Sequence, residues 1–229
     1  MRTVIFLALS ALCLAGCATS PQVHFHTLSE AASSDAVTRV QPDLQYQIAA
    51  VNVPERLDRA DMVVQGGKIG EAGVLVAEPE TSVVLLENER WDASFADALR
   101  DALSTRLALA AAATVTDMRK QPLSLRLTLQ IYRFDAHRAG YVDVLADWRL
   151  RRLDDESGDG ERSRIFGGCR AVLNGRYQGR ADVRAGDIDA LVAGMQQQVA
   201  RMAGDIVAST RAWLGNTARR GCVSGADTW

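Results

Sequence analysis

The sequence predicts an α+β protein, in which a largely antiparallel β-sheet carries two long amphipathic helices packed on one face. Leucine and isoleucine alternate with polar residues through "LSLRLTLQIYRF" (123–134), a pattern typical of a strand with one buried face. Apolar residues recur at helical spacing in two other segments, 95–110 and 188–213. Strands are followed by a helix twice over, which favours helices gathered on one side of an antiparallel sheet.

The first sixteen residues have the layout of a secretory signal. Arg2 supplies one positive charge, and the uncharged apolar run at 4–14 is too short to span a bilayer as a stable helix. The run ends in "LAGC" (14–17), which resembles a bacterial lipobox, where the cysteine thiol is linked to diacylglycerol and the chain is cut before it. We therefore predict a lipoprotein signal peptide at 1–16 and lipidation of Cys17, with simple secretion as the alternative.

The predicted anchor also suggests a location. Each buried methylene contributes about 0.8 kcal/mol, so two or three acyl chains on Cys17 hold a protein on a membrane. The residue after Cys17 is Ala18 rather than Asp, which in lipoproteins of this kind resembles an outer-membrane address. The sequence thus predicts a lipid-anchored protein on the periplasmic face of the outer membrane.

Charge and length limit the class of protein. Cleavage removes Arg2, so the formal net charge changes from -2 for the whole chain to -3 for the mature one. This balance argues against a nucleic-acid partner, because phosphate binding needs a basic face. About 210 residues remain, enough for one domain with a sizeable core.

The mature chain is predicted to begin with a tether and continue into one domain. Residues 17–43 are rich in Ser, Ala and Thr and are interpreted as a lipid-anchored tether, interrupted by the alternating piece "VHFHTL" (23–28). The folded domain is predicted to cover 44–215. Its first three strands are predicted at "LQYQIAAVNV" (44–53), "MVV" (62–64) and "SVVLL" (82–86). The segment "QGGKIGEAG" (65–73) lacks the spacing of a phosphate-binding loop and is interpreted as a mobile loop.

A helix and a hairpin are predicted next. Asp92, and Ser94 with Asp97, mark the start of an amphipathic helix. Its stripe contains Phe95, Leu99, Leu103 and Leu107. The strand at 123–134 and "YVDVLADWRLRR" (141–152) are predicted to pair antiparallel around the turn "DAHRAG" (135–140).

The C-terminal part is predicted to complete the sheet and add the second helix. The segment "SRIFGGCRAVL" (163–173) is predicted as the third consecutive strand. Asp187 is predicted to cap a long helix, and 216–229 is interpreted as a C-terminal tail. The apolar stripe of this helix contains Ile188, Leu191, Met195, Val199, Met202, Ile206 and Trp213.

Few residues suggest chemistry. His24 and His26 could share a metal ion, but no nearby Cys or third His completes a site, so structural or solvated histidines are the preferred interpretation. Asp143 and Asp147 lie about 13 Å apart along their strand, too far for a glycosidase pair. We predict no catalytic residue, no cofactor and no metal.

Three segments resemble the PqiC/YmbA family of ABC-type transport auxiliary lipoproteins. They are "VNVPERLDRADMVVQ" (51–65), "ENERWDASFADALRDALSTRL" (87–107) and the alternating residues 123–150. The resemblance implies a non-enzymatic periplasmic lipoprotein that works with an Mce-type periplasmic protein and a membrane permease to move lipids between membranes, and it allows a homo-oligomer. His26 stands where the family often has tyrosine, and Cys169 and Cys222 are not part of the pattern.

The cysteines leave an alternative open. Besides a structural envelope lipoprotein without a transport role, the sequence permits a periplasmic thiol enzyme with Cys169 as nucleophile and His137 as base. Cys13 leaves with the signal and Cys17 is consumed by lipid, so Cys169 and Cys222 are the remaining thiols in an oxidising compartment. We predict a disulfide between these two, which competes with the thiol enzyme because a sulfur held in a bridge is not a nucleophile.

Overall fold

The computed structural model describes residues 22–29, 43–70, 74–79, 81–115, 122–153 and 172–220. Within them, six strands precede the first helix and three lie between the two helices. The strands are β1 (His24–His26), β2 (Leu44–Asn52), β3 (Asp61–Gln65), β4 (Gly67–Ile69), β5 (Leu75–Ala77), β6 (Val83–Trp91), β7 (Leu123–His137), β8 (Tyr141–Arg152) and β9 (Val172–Asp182). The helices are α1 (Phe95–Ala113) and α2 (Ile188–Arg220).

Seven strands form one mixed sheet. Its order is β1-β6-β3-β7-β8-β9, and β2 pairs with β7 as well. The longest strands, β7, β8 and β9, form an antiparallel meander. Strands β2 and β3 run parallel to β7 along the same edge, β2 beside Leu123–Gln130 and β3 beside Ala136 and His137. The predicted α+β class and the predicted hairpin are confirmed.

Both helices pack on one face of this sheet. On β7 the inward side chains of Leu125, Leu127, Leu129 and Ile131 are fully buried, whereas the residues between them are partly or fully exposed. Helix α1 packs on β2, α2 packs on β8 and β9, and the helices contact each other. Met195 and Met202 of α2 belong to this core. The alternation in the sequence therefore reports the buried face correctly.

The helix starts follow the predicted caps. The backbone N–H of Asp97 donates to Ser94 Oγ at 3.3 Å, and that of Ala190 donates to Asp187 Oδ1 at 3.1 Å. Each bond satisfies a donor that the first helical turn leaves without an intrahelical partner. In the part of the chain that is described, neither helix is both long and apolar enough to cross a membrane.

The third strand of the meander extends nine residues past the end of the predicted strand. Strand β9 runs from Val172 to Asp182, so it shares only two residues with the predicted segment 163–173, whose other residues lie outside the described ranges. Its inward positions include Gly175 and Gly179. A Cβ on Gly175 would lie 2.0 Å from the ring of Trp148, so the indole occupies the space that a side chain would need.

Four other parts of the structure differ from the sequence interpretation. The Gly-rich segment interpreted as a loop contains β4, which pairs antiparallel with β5. Residues 135–137 of the predicted turn belong to β7, so the turn is Arg138–Gly140, where Gly140 has a φ of 95°. The sheet also includes β1, from the segment interpreted as a tether, and α2 continues to Arg220, past the predicted domain end at residue 215.

Candidate functional site

The predicted lipidation site and the predicted disulfide lie outside the described residues. This applies to Cys17, Cys169 and Cys222 alike. The described segment closest to Cys17 along the chain is 22–29, which contains β1. The way in which β1 is attached therefore decides how an anchor on Cys17 would be joined to the folded body.

Strand β1 is attached to β6 by its two histidines. The strands pair parallel, with His24 opposite Glu89 and His26 opposite Trp91. His24 Nδ1 lies 3.1 Å from Glu89 Oε1, and His26 Nε2 lies 2.6 Å from Glu89 Oε2. The two imidazoles considered as metal ligands thus share one carboxylate. Glu89 was missed because it lies 63 residues from His26 and nothing in the sequence pairs them.

The residues that follow β1 hold it from two further sides. Leu28 is fully buried in the core. The backbone N–H of Asp92 donates to the carbonyl of His26 at 3.0 Å, and Gln196 Nε2 of α2 donates to the carbonyl of Thr27 at 2.9 Å. Residues 24–28 are therefore part of the folded body, and only residues 18–23 separate Cys17 from β1.

A second cluster lies where β7 turns into β8. Asp135, His137 and Asp143 place one ligand atom each within 4.8 Å of one another. His137 Nε2 lies 3.3 Å from Asp143 Oδ1, and its ring stacks on Tyr141 with centroids 3.9 Å apart. The guanidinium of Arg180 lies 3.6 Å from the centroid of the Tyr141 ring, a cation–π contact.

The carboxylates of this cluster are already paired with arginines. Arg56 Nη1 donates to Asp135 Oδ1 at 2.9 Å, and Arg133 Nε lies 3.0 Å from Asp143 Oδ2. A metal ion would have to compete with a guanidinium for each carboxylate, which disfavours a cation here. The cluster is better described as an ion-pair network. His137, the candidate base for Cys169, is held in it, and Cys169 itself lies outside the described residues.

The rest of the face opposite the helices also carries ion pairs. Arg176 Nε and Nη2 lie 2.6 and 3.1 Å from the two oxygens of Asp147, and Tyr132 Oη donates to Asp147 at 3.1 Å. The hydrogen bond from Arg176 lowers the pKa of the Asp147 carboxyl. Asp143 and Asp147 thus have separate partners.

The chain is similar to known proteins in sequence and in fold. A family model described as "ABC-type transport auxiliary lipoprotein component" matches residues 26–207. The crystal structure of an uncharacterized protein is similar, with a TM-score of 0.54 and 13% identity over 83% of this chain and 99% of that one. A Xanthomonas campestris protein of the DUF330 family has a TM-score of 0.50 and 13% identity over 88% and 99%. These two likenesses show the fold alone, and no curated protein matches the chain.

Proposed function

Because the chain belongs to the family of ABC-type transport auxiliary lipoproteins, we propose that it is an accessory component of an Mce-type lipid transport system. The observation that carries this proposal is the family match over 26–207, which spans most of both described helices and the whole sheet except the first residues of β1. In this proposal acyl chains on Cys17 hold the protein on the periplasmic face of the outer membrane. An Mce-type periplasmic protein and a membrane permease are its partners.

Two features of the described residues support an anchored, non-enzymatic role. The first is structural. Strand β1 pairs with the sheet, Leu28 after it is buried in the core, and Gln196 of α2 bonds to Thr27. An anchor on Cys17 would therefore be attached close to the folded domain. The second is chemical. The three aspartates described on the open sheet face, Asp135, Asp143 and Asp147, are each paired with an arginine.

The anchor is tested by Cys17→Ala. We expect the variant to move from the membrane fraction to the soluble periplasm, because no acyl chain is attached. Mass spectrometry of the wild-type mature N-terminus is expected to find an acylated cysteine. Cys13→Ala is the matched control, since it changes a cysteine four residues away inside the predicted signal and is expected to leave anchoring unchanged. An unmodified wild-type N-terminus, or a Cys17→Ala variant that stays on the membrane, would contradict the anchor.

The transport role is tested by gene deletion. We expect the deletion strain to show the same membrane-permeability and lipid-distribution defects as loss of the partner Mce system, and wild-type protein to restore them. A deletion strain without such defects would contradict the transport role and favour a structural envelope lipoprotein.

We also propose the disulfide between Cys169 and Cys222. Cys169 precedes β9 by three residues and Cys222 follows α2 by two. Arg211 of α2 pairs with Asp43, next to the paired starts of β2 and β7. Strand β9 begins at that same end of the sheet, since Val172 lies opposite Arg151 and Arg152 lies opposite Leu125. Helix α2 therefore leads the chain back toward the end at which β9 starts.

Non-reducing mass spectrometry of periplasmic protein is expected to find a linked peptide pair containing Cys169 and Cys222. In the chain-entropy model, closing this loop stabilises the fold by about 4 kcal/mol, so reduction is expected to lower the unfolding midpoint. Cys169→Ser and Cys222→Ser should each lower it as much as reduction does. Two freely alkylatable thiols, one of them with a depressed pKa, would refute the disulfide and revive the thiol enzyme.

A further inference from the structure

The described residues cover one edge of the sheet only in part. Strand β1 pairs with β6 at Glu89–Trp91, the last three residues of β6. In the preceding stretch of β6, Val83–Asn88, residues Val83–Leu86 pair with β3 on the other side. On the side of β1, no strand in the described ranges pairs with this stretch. Its backbone groups there resemble those of a free sheet edge.

Exposed apolar side chains gather at this edge. The described residues contain six large hydrophobic side chains that are exposed, and four of them lie on β6, on β1 or just before β1. Val83 is 59%, Leu85 36% and Phe25 67% exposed, and Val23 is exposed as well. We call these four residues the β6 edge patch. Exposed apolar side chains next to unpaired backbone are a common site of association.

The chain between β1 and Cys17 is too short to hold the body far from a membrane. Seven residue steps separate Cys17 from His24, which span at most about 25 Å when fully extended. Strand β1 runs parallel to β6, so the chain that leaves β1 toward Cys17 starts out in the direction of Val83. Val83 lies six residues from Glu89 along β6, a distance of about 20 Å. The extended length of the chain from Cys17 to His24 is thus similar to the distance from Glu89 to Val83 along β6.

We propose that the β6 edge patch lies against the surface of zwitterionic phospholipids in the membrane to which Cys17 is attached. This inference rests on the lipidation of Cys17 under the proposed function. Apolar side chains leave water at such a surface, and the backbone of the edge can still bond to water and headgroups there. Glu87 is exposed in the same stretch, so an anionic lipid surface would repel it.

The contact can be tested with a photoreactive amino acid in the full lipidated protein. It replaces Val83, Leu85 or Phe25 in turn, and Tyr132 serves as the control because it is about half exposed but lies on the open face of β7. Each variant is reconstituted in phosphatidylcholine vesicles, its fold is checked by circular dichroism, and illuminated protein is analysed for lipid adducts. We expect adducts at Val83, Leu85 and Phe25, and only background at Tyr132.

The possible outcomes separate this inference from the anchor. Protein that does not bind vesicles at all would contradict lipidation at Cys17. Protein that binds but gives equal adducts at all four positions, or adducts at Tyr132 only, would overturn the edge contact and leave the anchor standing. Adducts to a second polypeptide at Val83 and Leu85 would also overturn it, because the edge would then pair with protein. Phosphatidylglycerol vesicles are expected to give fewer adducts, and an equal or larger number would refute the zwitterionic preference.

Discussion

Leu127→Asp is expected to eliminate folded protein. Leu127 is 0% exposed and lies in β7 between Ile48 of β2 and Leu150 of β8. A carboxylate there is surrounded by apolar side chains, and burying an unpaired charge costs more than several kcal/mol unless the group is neutralised. The total free energy of unfolding of a domain is about 5–15 kcal/mol. One substitution therefore removes most or all of the stability.

The matched control for this prediction is Thr128→Asp. Thr128 is the next residue on β7, lies on the opposite face of the sheet and is opposite the exposed Arg149 of β8. A new carboxylate there stays in water beside a cation, so we expect the stability to stay within about 0.5 kcal/mol of wild type. Soluble yield and urea denaturation check both variants. Normal levels of folded Leu127→Asp would mean that this face of β7 is not buried.

The contrast between Leu127 and Thr128 explains why much of the fold could be predicted from the sequence. Strand β7 has one buried face and one more exposed face, so its apolar residues must alternate with polar ones over many positions. Helices α1 and α2 also bury one stripe each against the sheet, which leaves a 3.6-residue period. Long elements with one buried face therefore carry the pattern that predicts them.

Strand β9 is an element that the apolar pattern of the sequence located only in part. Its inward side includes Gly175 and Gly179 beside the buried Tyr177 and Ala181, so the apolar alternation that predicts a strand is weak. The space above Gly175 is filled by Trp148 of β8, and Gly179 faces the hydrogen bond between Tyr177 Oη and Gln198 Oε1. The packing of β9 at its two glycines thus depends partly on a side chain that β8 supplies. A strand with glycine at two inward positions has a weaker apolar period than β7.

The candidate site was even less predictable. The lipobox signal is local, because the signal layout and Cys17 lie within 17 residues. By contrast, β1 has three residues, and its attachment depends on Glu89 and Gln196, which are distant in sequence. The alternation at 23–28 is too short to predict which strand it pairs with. We therefore interpreted this segment as part of a tether.

The second large effect is expected from Arg211→Met, which breaks an ion pair between two residues that are distant in sequence. Arg211 Nη1 and Nη2 each lie 2.8 Å from an oxygen of Asp43, and the side chains are only 17% and 7% exposed. Arg211 also donates to the carbonyl of Ala111 and to Thr114 Oγ1 at the end of α1. The guanidinium therefore joins α2, the end of α1 and the start of β2. Nearby, burial raises the pKa of Tyr46 to about 12.

Methionine would keep the apolar stem of Arg211 but leave the Asp43 carboxylate buried without its cation, which costs about 3–5 kcal/mol. The matched control is Arg176→Met, which breaks a pair of similar geometry with Asp147. Arg176 is 55% exposed, so its pair is worth about 0–1 kcal/mol. Adding Asp43→Asn to Arg211→Met is expected to recover part of the loss, because the stranded charge is removed. If urea denaturation gave equal losses for Arg211→Met and Arg176→Met, burial would not be what makes the Asp43 pair important.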